Sequence, residues 1–177
     1  CGAWHYQPAL EPSPHLHAPP YILNACVRFP GTIALAPSSP GRKYACMIEF
    51  GHLSHVGLRR ELNEDTYYGD SELGLWLVAD GMGGHACGEV ASALARETIV
   101  REIRDGTPLA QAIRIADEEI IRTSRRRNDT LPMGTTVVAV RVRGNRFEVA
   151  WVGDSRAYLW RDGNLAQLSQ DHSYVQE

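Results

Sequence analysis

Apolar residues follow no helical or alternating period over residues 1–46 and fall into clear patterns only from Met47 onward. Thr66–Asp70 and Leu73–Ala79 read as strands, the second almost wholly apolar and therefore expected to be buried on both faces. Glu89–Arg104 places Val90, Leu94, Ile99, Val100 and Ile103 on one stripe, which predicts an amphipathic helix. A second helix is predicted from Pro108, a residue suited to a first helical turn, to about Arg126, with Ile113, Ala116, Ile120 and Ile121 turned inward. After Pro132 the period changes to that of strands, at Thr135–Arg143, Arg146–Val152, Ala157–Arg161 and Leu165–Leu168. Gly144-Asn145 and Asp162-Gly163 have the composition of two-residue hairpin turns. Strands, two consecutive helices and an antiparallel meander define an α+β fold with helices packed on a sheet.

Residues 1–46 contain eight of the ten prolines, and Glu11 is their only acidic residue. Proline at that density prevents regular backbone pairing, so this stretch is expected to contribute little to the fold. It reads either as a proline-rich docking tail or, the reading favoured here, as a disordered or mistranslated extension ahead of a domain over residues 47–177. A chain that opens on Cys1 also fits an incomplete reading frame.

Composition narrows the function classes. An apolar fraction of 44% and a charged fraction of 22% are those of an ordinary globular protein. A net charge of −3 argues against a nucleic-acid binder that relies on a broad basic surface. No apolar run reaches the length of a membrane span, and no basic start precedes an apolar segment. Cys1, Cys26, Cys46 and Cys87 show neither zinc-site spacing nor the density of a disulfide scaffold. Reduced thiols and a cytoplasmic location are the expectation.

Three stretches carry candidate chemistry. In Val78-Ala79-Asp80-Gly81-Met82-Gly83-Gly84-His85 an apolar strand delivers one carboxylate to the rim of a sheet, just before a glycine turn. Gly81 has no side chain, so its carbonyl has room to approach a hard cation beside Asp80. The glycines lack the order of a nucleotide-binding loop, and an isolated Asp-Gly after a strand is more often a turn. Arg60-Glu61-Leu62-Asn63-Glu64-Asp65 offers two adjacent acids that point to opposite faces of an extended chain. Only one of them can face a metal directly unless the backbone bends, and the other would then act through bound water or orient the first. Arg60 presents a fork of donors suited to phosphate oxygens, although an exposed Arg60–Glu64 pair would look the same in sequence. Trp151-Val152-Gly153-Asp154-Ser155-Arg156 again ends an apolar strand in one carboxylate. Gly134-Thr135-Thr136 alone reads as a strand start, and His172 in Asp171-His172-Ser173 as a packing or surface residue.

Taken in chain order, from Arg60–Asp65 through Asp80–His85, Gly134–Thr136 and Gly153–Tyr158 to Asp171–Ser173, the five motifs resemble the bacterial protein phosphatases of the PP2C (PPM) type, over roughly Ile48 to Glu177. The resemblance implies an α-β-β-α sandwich, of which this chain holds the N-terminal portion, with a metal cluster at one end of its sheets. It implies hydrolysis of phosphoserine and phosphothreonine monoesters by a water activated by two, and in some members three, Mn²⁺ or Mg²⁺ ions. By that resemblance Asp80 bridges two metals, while the Gly81 carbonyl and Glu64 help hold one of them. Asp65 belongs to the same cluster, Arg60 grips the phosphate, and Asp154 serves a third metal. Phosphorylated proteins, including a bacterial Ser/Thr kinase, are the implied partners. Met82 stands where many eukaryotic members carry His, and two further aspartates, in Ser-Asp-Gly and Asp-Asn contexts, are missing before Glu177. A fragment with little activity of its own is therefore expected. The alternative is a truncated, inactive fold that only binds partners.

Overall fold

A computed structural model describes residues 48–56, 62–83, 87–127, 132–144 and 146–172, together with the backbone of two short strands at 5–10 and 25–28. Along the chain the elements are β1 (His5–Leu10), β2 (Ala25–Arg28), β3 (Glu49–His52), β4 (Asp65–Asp70) and β5 (Leu75–Met82). Helices α1 (Cys87–Arg104) and α2 (Leu109–Arg127) follow, then β6 (Gly134–Thr135), β7 (Val137–Arg143), β8 (Arg146–Val152), β9 (Tyr158–Arg161) and β10 (Asn164–Gln167). The main sheet is antiparallel in the order β1-β8-β7-β5-β4, with β6 pairing the end of β5.

Alternation along the strands sends side chains to opposite faces of this sheet. Leu75, Leu77 and Ala79 of β5, Val137 and Ala139 of β7 and Ala150 of β8 cluster with Ala91, Ala95, Ile99 and Ile103 of α1. Leu109, Ala112, Ile113, Ala116 and Ile120 of α2 join the same core. The opposite face carries Val138, Val149 and Trp151, packed with Val78, Val140, Phe147, Ala157 and Leu168. This is the mixed architecture expected from the sequence: one helical layer, one sheet, and the start of a second layer on the far face. A second pair of helices is not among the described residues.

Several boundaries differ from the sequence reading, each for a local reason. Leu73 belongs to a turn, because the Asp70 carboxylate accepts from the backbone N–H of Glu72 and of Leu73, both at 2.9 Å, and stops the strand. The stripe of α1 is centred on Ala91 and Ala95, while Val90 and Leu94 are only partly buried at its edge. Small side chains let the helix lie close to β5. Ile121 is 43% exposed, one helical step beyond the buried Ile120. The strand expected at Thr135–Arg143 divides at Thr136, and the last hairpin pairs Asn164–Gln167 with Tyr158–Arg161. Its turn is as predicted: Asp162 and Gly163 both have positive φ, at 52° and 79°.

The larger departure lies before Met47, where regular pairing was not expected. β1 pairs with β8, and β2 pairs with β3. Pro8 is tolerated because β1 is an edge strand and its register shifts between Gln7 and Leu10.

Helix α1 gives way to a turn in which Gly106, with a φ of 91°, leaves the helical region. Arg141, almost fully buried on the helical face of β7, donates to the carbonyls of Thr107 at 3.1 Å and Ile103 at 3.5 Å. It thereby adds a donor to carbonyls at the end of α1 and just beyond it. Burial lowers its pKa, and the neighbouring Arg143 lowers it further.

The Asp70 turn gives a pH-dependent contribution. The N–H of Leu73 first, then the Tyr68 hydroxyl and the N–H of Glu72, hold the Asp70 carboxyl below the usual carboxylate range. A depressed folded-state pKa contributes stability that is fully present above the unfolded value of about 3.9, and is lost as pH falls through the folded value. Asp70→Ala is expected to cost about 1.5 kcal/mol at pH 7. Urea melts of the two proteins should converge as the pH drops below about 3.9. A difference that stays constant with pH would contradict the assignment.

Candidate active site

The rim of the main sheet, where β5 ends, collects most of the predicted site. Asp65 stands directly opposite Asp80 in the β4–β5 register. Residues paired in this way share one face with their Cβ atoms about 5 Å apart, and two like charges there repel. Both side chains are exposed, and by alternation both lie on the face away from the helices. Asp65 is brought into β4 by Asn63, whose Oδ1 accepts from the Asp65 N–H at 3.1 Å. The Asn63 amide in turn donates to Ser54 Oγ at 2.7 Å.

Glu64 is positioned mainly through its backbone. Its carbonyl accepts from the Gly81 N–H at 3.1 Å and from the buried Ser92 hydroxyl at 2.6 Å. Its carboxylate lies against Gly88 in the first turn of α1, where free helix N–H groups favour negative charge. A methyl on Gly88 would overlap that carboxylate, and one on Gly81 would overlap the Gly88 carbonyl. These two glycines exist so that three backbones can meet. Adjacent Glu64 and Asp65 thus serve opposite sides, as an extended chain requires.

Asp80 is fixed by the Gly-Thr-Thr segment. Its N–H donates to Thr136 Oγ1 at 3.1 Å. Its carbonyl accepts from the Thr136 N–H at 2.8 Å and from the Thr135 hydroxyl at 2.9 Å. Thr136 Oγ1 also lies 2.6 Å from Ser155 Oγ, which ties the segment after β8 to the end of β5. Asp154, exposed, precedes that serine. Gly153 has a φ of 94°, and a Cβ there would stand 2.7 Å from the Thr136 methyl.

Asp171 and His172 close the same segment from below. The Gly153 N–H donates to His172 Nδ1 at 3.3 Å, and the His172 N–H donates to the Gly153 carbonyl at 3.0 Å. Trp151 Nε1 donates to the Gln170 carbonyl at 2.8 Å. Arg156 Nε donates to Asp171 Oδ1 at 2.9 Å and Oδ2 at 3.0 Å. This fork raises the Arg156 pKa and holds the Asp171 carboxyl below its ordinary range. His172 packs and braces, as read from the sequence.

The structure therefore brings together Asp65 with Asp80, and Glu64 with the backbone of Gly81. It links the Asp154 segment to Asp80 through Ser155 and Thr136. Arg60 and His85 lie outside the described residues. Met82 is 65% exposed beside the rim. Cys87 is buried at the start of α1. Among the described residues no three His, Cys, Asp or Glu side chains converge on one ion position. Carboxylate oxygens and a backbone carbonyl nevertheless suit hard cations of the Mg²⁺ and Mn²⁺ kind, which retain several waters. The like charges of Asp65 and Asp80, facing each other across the β4–β5 register, carry a cost that a cation placed between them would offset.

Comparison with known proteins places the fold in a family. The protein phosphatase 2C family model matches residues 49–177. The chain belongs to the protein phosphatase 2C family. It is 38% identical over 137 residues to the serine/threonine protein phosphatase PstP of Mycobacterium tuberculosis, covering 73% of this chain and 26% of that protein. It is 39% identical over 111 residues to the serine/threonine phosphatase stp of Listeria monocytogenes, covering 57% of this chain and 44% of that one. The crystal structure of the PstP catalytic domain in complex with two manganese ions superposes with a TM-score of 0.64 at 40% identity, over 70% of this chain and 56% of that chain. The chain thus spans between about a quarter and about half of the length of these relatives. Among the described residues no helix is long and apolar enough to cross a membrane.

Proposed function

We propose that the full-length protein is a metal-dependent protein serine/threonine phosphatase that hydrolyses phosphoserine and phosphothreonine monoesters. The observation that carries this reading is the placement of Asp80 opposite Asp65 at the sheet rim, beside Gly81 and Glu64. Asp65, Asp80, Glu64 and the Gly81 carbonyl are the groups that would hold Mn²⁺ or Mg²⁺, and Asp154 a further ion. Two such ions, when bound, lower the pKa of a water and offset phosphoryl charge. The chain's own residues set Asp65 opposite Asp80 at the rim, and Arg60 would bind the phosphate oxygens. Residues 47–177 would form part of the phosphatase domain and residues 1–46 an upstream extension. The substrates would be phosphoproteins in the cytoplasm, among them a bacterial Ser/Thr kinase.

Phosphate release from a phosphothreonine peptide by the full-length gene product tests this. Turnover in Mn²⁺ that vanishes with chelator is the expected result. No turnover in Mn²⁺ would favour a fold that only binds partners. Arg60→Ala should raise KM while leaving Mn²⁺ affinity unchanged. Loss of the metal in that variant would overturn the role given to Arg60.

A further inference from the structure

The site has two halves on different elements. Asp80 lies near the end of β5, Asp154 follows β8, and 73 residues lie between them. A pair of hydroxyls joins them. A threonine hydroxyl has one proton and two lone pairs. In Thr136 one lone pair accepts the Asp80 N–H at 3.1 Å, and the oxygen stands 2.6 Å from Ser155 Oγ. The Thr136 main chain holds the Asp80 carbonyl at 2.8 Å, so both backbone polar groups of Asp80 end on this one residue. The Thr136 methyl fills the space under Gly153, whose φ of 94° brings its backbone onto that methyl.

We propose that Thr136 and Ser155 are positioning residues that couple the Asp80 carboxylate to the Asp154 segment through their shared hydroxyl hydrogen bond, so that cation affinity at Asp80 depends on the Ser155 hydroxyl. This rests on the reading of Asp80 as a metal ligand. The physical basis is that hydrogen bonds in a chain polarise one another. A Ser155 Oγ that pairs with Thr136 fixes the direction of the lone pair offered to the Asp80 amide. That amide sets the torsion from which the carboxylate projects. Partners one step removed from a metal ligand commonly change affinity by about 10–100-fold.

Thr136→Val keeps the methyl beneath Gly153 and removes only the hydroxyl, whereas Thr136→Ser keeps the hydroxyl and removes the methyl. Mn²⁺ titration by calorimetry, on this chain and on the full-length gene product, should show about tenfold weaker binding for Thr136→Val and for Ser155→Ala. The double variant should be no weaker than either single one, and Thr136→Ser should bind as the unsubstituted protein does. Metal-free amide exchange by NMR gives an independent readout: Ser155→Ala should accelerate exchange of the Asp80 N–H, although the two are 75 positions apart.

Unchanged affinity and unchanged Asp80 exchange in Thr136→Val would overturn the coupling. Equal weakening by Thr136→Val and Thr136→Ser would reduce the residue to packing, and would overturn it too. Asp80→Asn separates this from the underlying reading. If Asp80→Asn leaves Mn²⁺ affinity intact, the metal assignment itself fails. If Asp80→Asn abolishes binding while Thr136→Val does not alter it, only the coupling fails.

Discussion

Asp80→Asn is expected to lower Mn²⁺-dependent turnover of the full-length gene product by at least about 100-fold, while leaving the fold in place. The lower bound follows from residues that only support a metal ligand, whose loss already costs about 10–100-fold. Retention of the fold follows from the division of labour within Asp80. Its backbone carries the structural bonds, to Thr136 Oγ1 and from Thr135 Oγ1 and the Thr136 N–H, and asparagine keeps all three. Its side chain is exposed and belongs to neither apolar cluster. The substitution removes charge and almost no volume. Steady-state kinetics on a phosphothreonine peptide, together with melting curves in chelator, check both halves. A variant that keeps full turnover, or one that unfolds, would contradict this account.

Trp76→Ala is expected to cost about 3–5 kcal/mol of folding stability, while Trp76→Phe costs far less. Trp76 is 2% exposed, although it lies on the sheet face away from the helices. Its ring meets Phe50 edge-on, with centroids 6.2 Å apart and planes at 67°. It stands opposite Gly69 in the β4–β5 register. A Cβ on Gly69 would sit 2.6 Å from Phe50 Cε2 and 3.0 Å from Trp76 Cδ1, so the two rings cover the glycine of an edge strand. Alanine at position 76 would leave a cavity and uncover Gly69. Phenylalanine would leave a smaller one and would also remove the buried Nε1–H, which has no hydrogen-bond partner among the described residues. An unpaired buried donor costs about 1–3 kcal/mol, which offsets much of the lost volume. Urea denaturation of the three proteins distinguishes the terms. Equal losses for Phe and Ala would show that ring packing is not what holds this face.

The order of elements was legible in the sequence because most strands and both helices bury one face, and burial imposes a period. The Asp162-Gly163 turn was legible because its residue types tolerate the positive φ that a two-residue hairpin needs. β1 was not legible: Pro8 argues against a central strand, yet an edge strand with shifted register accepts it. Arg141 broke the apolar alternation of β7, and its role as a partner for the end of α1 depends on a contact 38 residues away.

The site divided in the same manner. The carboxylates stood out as single acids at the ends of apolar strands. Ser92 and Gly88 did not, because each acts through contacts with a segment distant in sequence. Gly134-Thr135-Thr136 was marked as a motif, but alone it read as a strand start, and the bonds of Thr136 to Asp80 and Ser155 carry no local mark. The separation of Glu64 from Asp65 was available from alternation alone, and the structure realises it. Which residue each acid meets was not available, since that depends on the register of β4 against β5.

The β9–β10 hairpin has a consequence for how this protein tolerates change. All four residues of β10 are exposed, and the tip at Asp162-Gly163 touches neither apolar cluster. Its base, by contrast, is laced shut: Leu168 N–H to the Ala157 carbonyl at 2.8 Å, Ala157 N–H to Ser169 Oγ at 3.0 Å, and Arg156 to Asp171. Extra sequence at the tip therefore loads only the outer end of a ribbon whose root is fixed. Exposed tips of this kind are where chains accept insertions and protease nicks. Relatives that differ in loop length should differ here before they differ at the root, and a fluorophore or affinity tag carried at this tip would leave the Asp154 segment undisturbed.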